Sequence, residues 1–287
     1  MKNLRELHAQ ALQEGWAVPH FNFTSLAQLQ GIADALREFR SPALLGASEG
    51  ERTFMGIHQT VALVRSLRDE GLAVFLNADH CRSVESAKEA ADAGFDSIHA
   101  DLSKKEFAEN TKETREIAEY VKKVNPEAEV EGELGYLATD SSRIYAEEVV
   151  IPEDSYTKPQ EAMEFVRETG VDRLAPAIGT IHGIAANTPK LRFDLAQELR
   201  AALPGITLVL HGGSGVTDEE KERIAKAGFN NIHVSTELRV AFTGALRAAL
   251  RDNPDEVIPY KYLAPAREAT AKVVAHHVKL FGSANRA

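Results

Sequence analysis

AVFLNADHCRSVESAKEAADAGFDSIHAD, residues 73–101, carries the pattern that decides the fold. Two short β-prone runs, Ala73–Ala78 and Ser97–Ala100, bracket a polar, glycine-punctuated stretch, and both run directly into chemistry: Asp79-His80 after the first, Asp101 after the second. The same rhythm recurs at Ala17–Phe21 and Ala43–Ala47 upstream, and at Glu129–Glu133, Arg173–Ile178, Thr207–Leu210 and Asn231–Val234 downstream. Between these runs, Phe54, Ile57, Val61 and Val64 follow a helical stripe, as do Ile117, Val121 and Val124, which is what helices covering a sheet require. Eight strand–helix units with no low-complexity linker predict an α/β fold, one (β/α)₈ barrel over residues 1–287 with an additional C-terminal helix around 265–281. The longest irregular stretch, Gly135 to Lys158, is either an active-site loop or a surface excursion.

Composition narrows the partners. The 287 residues are 44% hydrophobic and carry a formal charge of -10, which supports a full core and speaks against nucleic acid or an anionic membrane, since both demand a clustered basic surface. The first residues, MKNLRELHAQALQEG, read as an amphipathic helix without a signal-peptide core, and no run is long enough to span a bilayer; a cytoplasmic enzyme is expected. Cys81 is the one cysteine, so an intrachain disulfide and a thiolate metal cluster are both excluded. Any metal must rest on histidines and carboxylates.

In such a barrel the carboxyl ends of the strands converge on one mouth. There the sequence places Asn77-Ala-Asp79-His80, Asp101, Glu131 and Glu133, His182 within Gly179-Thr-Ile-His-Gly183, and His211-Gly-Gly-Ser-Gly215. His80, His182 and His211 make three imidazoles from three strand ends, a set that catalytic zinc uses with one position left open, although Co²⁺ or Mn²⁺ also suits it. Asp79, next to a ligand, is the expected proton-transfer carboxylate; the alternative is a partner that orients a histidine. The Gly212-Gly213-Ser214 loop, opening a helix beside Ser235 and Thr236, offers backbone N–H groups to a phosphate. Four histidines on predicted helices, His8, His58, His276 and His277, are expected at the surface.

These residues resemble the class II, metal-dependent fructose-bisphosphate and tagatose-bisphosphate aldolases. The likeness runs nearly end to end, through Ala17-Val-Pro-His-Phe-Asn22, Asp79-His80, Gly94-Phe95, Asp101, Glu133-Leu-Gly135, Ala177-Ile-Gly-Thr-Ile-His-Gly183, Leu210-His-Gly-Gly-Ser-Gly215, Ser235-Thr-Glu-Leu-Arg239 and Tyr262-Leu-Ala-Pro-Ala-Arg267. The resemblance implies a lyase that cleaves a ketose phosphate, with one Zn²⁺ per subunit and room for a monovalent cation. It implies His80, His182 and His211 as ligands, Asp101 and Glu133 at an alternative metal position, and Asp79 as the residue that moves the proton. It further implies phosphate contacts from Gly183, Gly212, Ser214 and Thr236, polar contacts from Asn22 and Ser48, a second-phosphate role for Arg267, and a homodimer or homotetramer. An epimerase on the same barrel and a non-catalytic partner subunit are the rival readings.

The chain also departs from that family. A tyrosine and lysine usual after the His182 position are replaced by Ile184-Ala-Ala-Asn187, and the amide usual before the threonine is His233, in His233-Val-Ser235. The turn after Glu133 is Leu137-Ala-Thr-Asp140, and the run after Asp101 is Leu102-Ser-Lys104. Histidines at 20, 99 and 233 are gained. These departures fit a different donor, a different acceptor or phosphate held mainly by backbone amides; a substrate other than fructose 1,6-bisphosphate is the preferred reading, and ordinary family drift is the alternative.

Overall fold

The computed structural model describes residues 2–135, 143–187 and 190–287. Eight parallel strands close in sequence order into a barrel, β1 pairing with β8 through Val18↔Asn231 and His20↔His233. The strands are β1 (Val18–Asn22), β2 (Ala43–Ser48), β3 (Val74–Cys81), β4 (Ser97–Ala100), β5 (Glu129–Leu134), β6 (Arg173–Pro176), β7 (Thr207–Leu210) and β8 (Asn231–Val234). The expected (β/α)₈ barrel is the observed one. Its third strand runs farther than the sequence suggests, so that Asp79 and His80 lie within the strand, and a register shift between Ala78 and Cys81 accompanies the positive φ of His80, 50°. A bulge of this kind re-aims side chains at a barrel rim.

Outside the strands stand α1 (Leu4–Glu14), α2 (Leu26–Phe39), α3 (Glu49–Met55), α4 (Ile57–Asp69), α5 (Val84–Ala93) and α6 (Phe107–Val124). They are followed by α7 (Pro159–Thr169), α8 (Phe193–Ala202), α9 (Asp218–Lys226), α10 (Thr236–Asp252) and α11 (Pro259–Leu280). Their apolar stripes bury Ile32, Leu36, Val64, Ile117, Val121, Phe165 and Leu199 against the outer face of the barrel. The last helix begins at Pro259, earlier than the expected start near Pro265. Proline at the first turn has no N–H to waste, whereas Pro265 is carried inside the helix despite its missing donor.

Two of the four helix histidines are not at the surface. His8 is buried against the foot of the barrel, its Nδ1 2.9 Å from Glu129, and His277 is buried with Nε2 2.7 Å from Glu237. Imidazole is polar and flat enough to be taken into a core when a carboxylate meets it. His58 and His276 are exposed.

The inside of the barrel is the unusual part. Barrel interiors are ordinarily filled with branched apolar side chains. Here inward positions of β1, β3, β4, β5, β6 and β8 are His20, Asn77, Ser97 and His99, Glu129, Glu131 and Glu133, Arg173, Asn231 and His233, all buried. Arg173 is fully buried and reaches Glu131 at 2.9 Å, Glu129 at 3.5 Å and the Asn231 Oδ1 at 3.0 Å. Buried charge survives only when it is paired in this way.

Candidate active site

The strand ends converge on a pocket lined by Asn22, Ser48, Asp79, His80, His182, Gly183, His211, Gly212, Ser214, His233, Ser235, Thr236 and Arg239. The rings of His80, His182 and His211 lie near one another, with centroids 4.9 Å, 5.0 Å and 5.6 Å apart in pairs, although His182 belongs to none of the side-chain groups whose ligand atoms all lie within 4.8 Å of one another. Carboxylates take the far nitrogens of two of them. His80 Nδ1 lies 2.8 Å from Asp101, and His211 Nε2 lies 2.7 Å from Glu131. A carboxylate behind an imidazole holds one N–H and so leaves the other ring nitrogen as the one a metal would take, which is how metal-binding histidines are prepared. The donor set therefore fits a zinc-like ion: three imidazoles, with Asp79 beside them and no thiolate.

Asp101 and Glu133 stand behind His80 rather than in the pocket lining. Glu133 faces His99, at 3.1 Å from its Nε2, and Ser103 bridges the two carboxylates with 3.0 Å contacts to each. The ligand atoms of Asp79, His80, His99 and His211 lie within 4.8 Å of one another, as do those of His80, Asp101 and Glu133. His99 was visible as a gained strand-end histidine, but its role was not: the His80 backbone N–H donates to its Nδ1 at 3.2 Å, and the ring spans the gap from Asp79 to Glu131 and Glu133.

Asp79 is held by Asn22, whose amide donates to Oδ2 at 2.9 Å and also reaches Glu51 at 3.0 Å. Burial alone would raise its carboxyl pKa, but His80, His99, His20 and His233 hold it well below the usual range, so it is a carboxylate ready to take a proton. Burial would likewise depress His80 and His99. Asp79 and Asp101 push His80 up instead, and Glu131, Asp79 and Glu133 push His99 well up. For His20, His182 and His233 burial wins: His20 falls to about 4, the other two well below their ordinary value. Room for His20 comes from Gly46, where a Cβ would stand 2.2 Å from the ring.

On the opposite side, Gly212 has φ 70° and passes so close to Ile181 that a Cβ would lie 2.2 Å from its carbonyl oxygen. Gly213, the first residue of the turn Gly213–Gly215, is buried. Ser214 Oγ accepts from the backbone N–H groups of Ser235 and Glu237, at 3.2 Å and 3.3 Å, and so ties the loop to the first turn of α10. The positive end of that helix faces the pocket.

The altered run after His182 meets the chain that follows residue 142. Ile144 and Ile184 form a parallel bridge, and the Asn187 side chain both donates to and accepts from the Val149 backbone. Leu137, Ala138, Thr139 and Asp140 lie outside the described residues. Arg267 stands apart from the pocket on α11, paired with Asp34 at 2.6 Å. Two mouth residues went unassigned in the sequence, Arg239 and its ion-pair partner Glu51. Arg239 sits three residues after Thr236, one turn into the helix that opens on the pocket, and that spacing was the available signal.

With this geometry in view, the comparisons are direct. The family model for fructose-bisphosphate aldolase class-II matches residues 2–286. The fructose-bisphosphate aldolase of Geobacillus stearothermophilus is 37% identical over 289 residues, covering 99% of this chain and 98% of that one. That of Staphylococcus epidermidis is 36% identical with the same coverage. Among solved structures, the YdjI aldolase from Escherichia coli K12 superimposes with a TM-score of 0.84 at 29% identity, over 99% of this chain and 98% of that one.

Proposed function

This chain belongs to the class II fructose-bisphosphate aldolase family, a family of metal-dependent lyases, and on that premise we propose that it cleaves a ketose phosphate other than fructose 1,6-bisphosphate. The products are a dihydroxyacetone-phosphate-like fragment and an aldehyde. The observation that carries this reading is the meeting of His80, His182 and His211 with the ionised Asp79 in one pocket. His80, His182 and His211 would hold one zinc ion per subunit, with a monovalent cation as an optional neighbour. When bound, zinc supplies a Lewis acid for a carbonyl oxygen.

The chain's own residues account for the rest. Asp79 takes the proton from the hydroxyl at the bond being cut, and Asn22 keeps its carboxylate oriented through the contact at Oδ2. A Schiff-base route is disfavoured, because none of the eight strands carries a lysine to present an amine inside the barrel. Phosphate is held by the backbone N–H groups of Gly183, Gly212 and Gly213, by Ser214 and Ser235, and by the N-terminus of α10 at Thr236. The usual cation is absent at Ala186, and His233 replaces an amide, so the donor end is altered. Ser48 and Asn22 face the other end. Arg267 lies outside the pocket of its own chain, so a role at a second phosphate requires an assembly of copies, and we read the chain as one domain over 1–287 working as a cytoplasmic homodimer or homotetramer.

The deciding experiment incubates the zinc-loaded protein with ketose 1-phosphates, ketose bisphosphates and free ketoses, and follows the aldehyde released. Cleavage that vanishes with EDTA and drops about 100- to 10,000-fold in Asp79→Asn is expected. Isomerised substrate without fragments would instead show an epimerase, and efficient cleavage of fructose 1,6-bisphosphate would overturn the altered donor.

A further inference from the structure

His20 and His233 lie flat on each other, ring centroids 3.5 Å apart and planes 5° from parallel, an arrangement suited to two uncharged imidazoles. Which nitrogen of each carries the proton follows from groups that can only donate or only accept. The Asn231 amide faces the Val18 carbonyl at 2.9 Å on one side and the Arg173 guanidinium at 3.0 Å on the other. A carbonyl only accepts and a guanidinium only donates, so Asn231 has one orientation, with Nδ2 to Val18 and Oδ1 to Arg173. His233 Nε2 stands 3.3 Å from that same Oδ1 and must therefore be N–H, which leaves Nδ1 bare. Nδ1 is the nitrogen on the pocket side, 3.6 Å from Asp79 Oδ1.

The same reasoning fixes His20 in the opposite sense. Arg173 also donates to Asn77 Oδ1 at 3.3 Å, and Ser97, itself a hydrogen-bond partner of Arg173, donates there at 2.5 Å. Asn77 must then turn Nδ2 to His20, whose Nε2, 3.1 Å away, accepts and is bare. The His20 proton sits on Nδ1. Both assignments run through contacts of Arg173, joined at Asn231 by the Val18 carbonyl.

We propose that Arg173 is a positioning residue that sets the tautomers of His20 and His233, and thereby presents the bare Nδ1 of His233 as an acceptor for a hydroxyl next to the carbonyl of the donor ketose. An amide at position 233 would offer a donor as well; this imidazole offers only a lone pair. Donors that carry a free hydroxymethyl group are thus selected over deoxy donors, whose methyl group leaves Nδ1 buried and unsatisfied. The donor preference rests on the aldolase reading of the pocket; the tautomers do not.

Long-range ¹H–¹⁵N spectra of the zinc-loaded full chain, labelled with ¹⁵N-histidine and assigned by the loss of peaks in His20→Asn and His233→Asn, read the tautomers directly. His233 protonated at Nε2 and bare at Nδ1, with His20 the reverse, is expected; any other pattern overturns the proposal. In Asn231→Ala the His233 pattern changes while that of His20 stays, and an unchanged His233 pattern equally overturns the relay from Arg173. Calorimetric binding of dihydroxyacetone phosphate against hydroxyacetone phosphate then tests the selection. Wild type favours the former, and His233→Leu reduces the ratio about ten-fold at equal zinc content. An unchanged ratio overturns the hydroxyl contact, whereas no binding of either ligand alongside the expected spectra would indict the aldolase reading alone.

Discussion

A methyl group at position 46 would stand 2.2 Å from Cε1 and 2.5 Å from Nε2 of His20, closer than packed atoms approach. Gly46→Ala is therefore expected to cost about 1–3 kcal/mol by overpacking, and His20→Ala in the same chain should restore most of it, a coupling that thermal melts of the four proteins measure. Independent losses in the double variant would show that the ring and the glycine are not matched. His20 also imposes a pH dependence. Its folded pKa, about 4, lies below the ordinary 6.5, so the stability it contributes is present above pH 6.5 and is lost as the pH falls toward 4, where the unfolded chain takes a proton that the fold refuses. His182 and His233 act in the same direction, while the raised His80 and His99 oppose them. Comparison with His20→Asn isolates the effect: between pH 7 and pH 5, wild type should lose about 2 kcal/mol more than the variant in urea unfolding. Parallel losses would mean that the ring is protonated in the folded state.

At the scale of elements, strand ends and loops divide what the sequence could and could not disclose. The βα rhythm, the mouth histidines and the Gly-Gly-Ser-Gly turn all follow from local pattern, because strand periodicity and turn chemistry are short-range. The polar interior was hidden for the opposite reason. Glu129 and Arg173 look like strand residues among others and Glu131 like a mouth carboxylate, and only barrel closure shows that they share one buried cluster. His8 and His277 misled similarly, since their carboxylate partners lie far along the chain on β5 and at the start of α10. The bulge in β3 could not be read from alternation, although it gives His80 its direction. The Gly213–Gly215 turn and the first turn of α10 act as one element, joined by Ser214. Ser214→Ala removes the acceptor of two N–H groups, and KM for a phosphorylated ketose should rise about ten-fold, the worth of one to two hydrogen bonds, with kcat little changed. An equal rise for an unphosphorylated ketose would assign the loop a structural role only.

Across the whole molecule, the interior sets a conflict that a cation would resolve. Asp79, Asp101 and Glu131 all have carboxyl pKa values pushed below their usual range, and Arg173 pairs directly with Glu131, so much of the compensation of the other two falls on imidazoles. The raised pKa of His80 means that it holds its proton above the ordinary range, and a metal must displace that proton to use the ring. Metal affinity should therefore rise with pH through the neutral range. Because a metal binds the assembled ligands far better than the unfolded chain, saturation at about 1,000 times Kd adds about 4 kcal/mol, which in a chain of this length moves the melting temperature by about 7 °C. Removal of the ion with EDTA is expected to lower Tm by roughly that amount while far-ultraviolet circular dichroism is retained, since the barrel closes through its own strand pairing. The shift should be smaller in His182→Ala, which gives up one ligand but none of the carboxylate contacts behind His80 and His211. A Tm indifferent to EDTA in wild type, measured alongside the metal content, would remove the ion from these histidines and leave the polar interior balanced by Arg173 and its imidazoles alone.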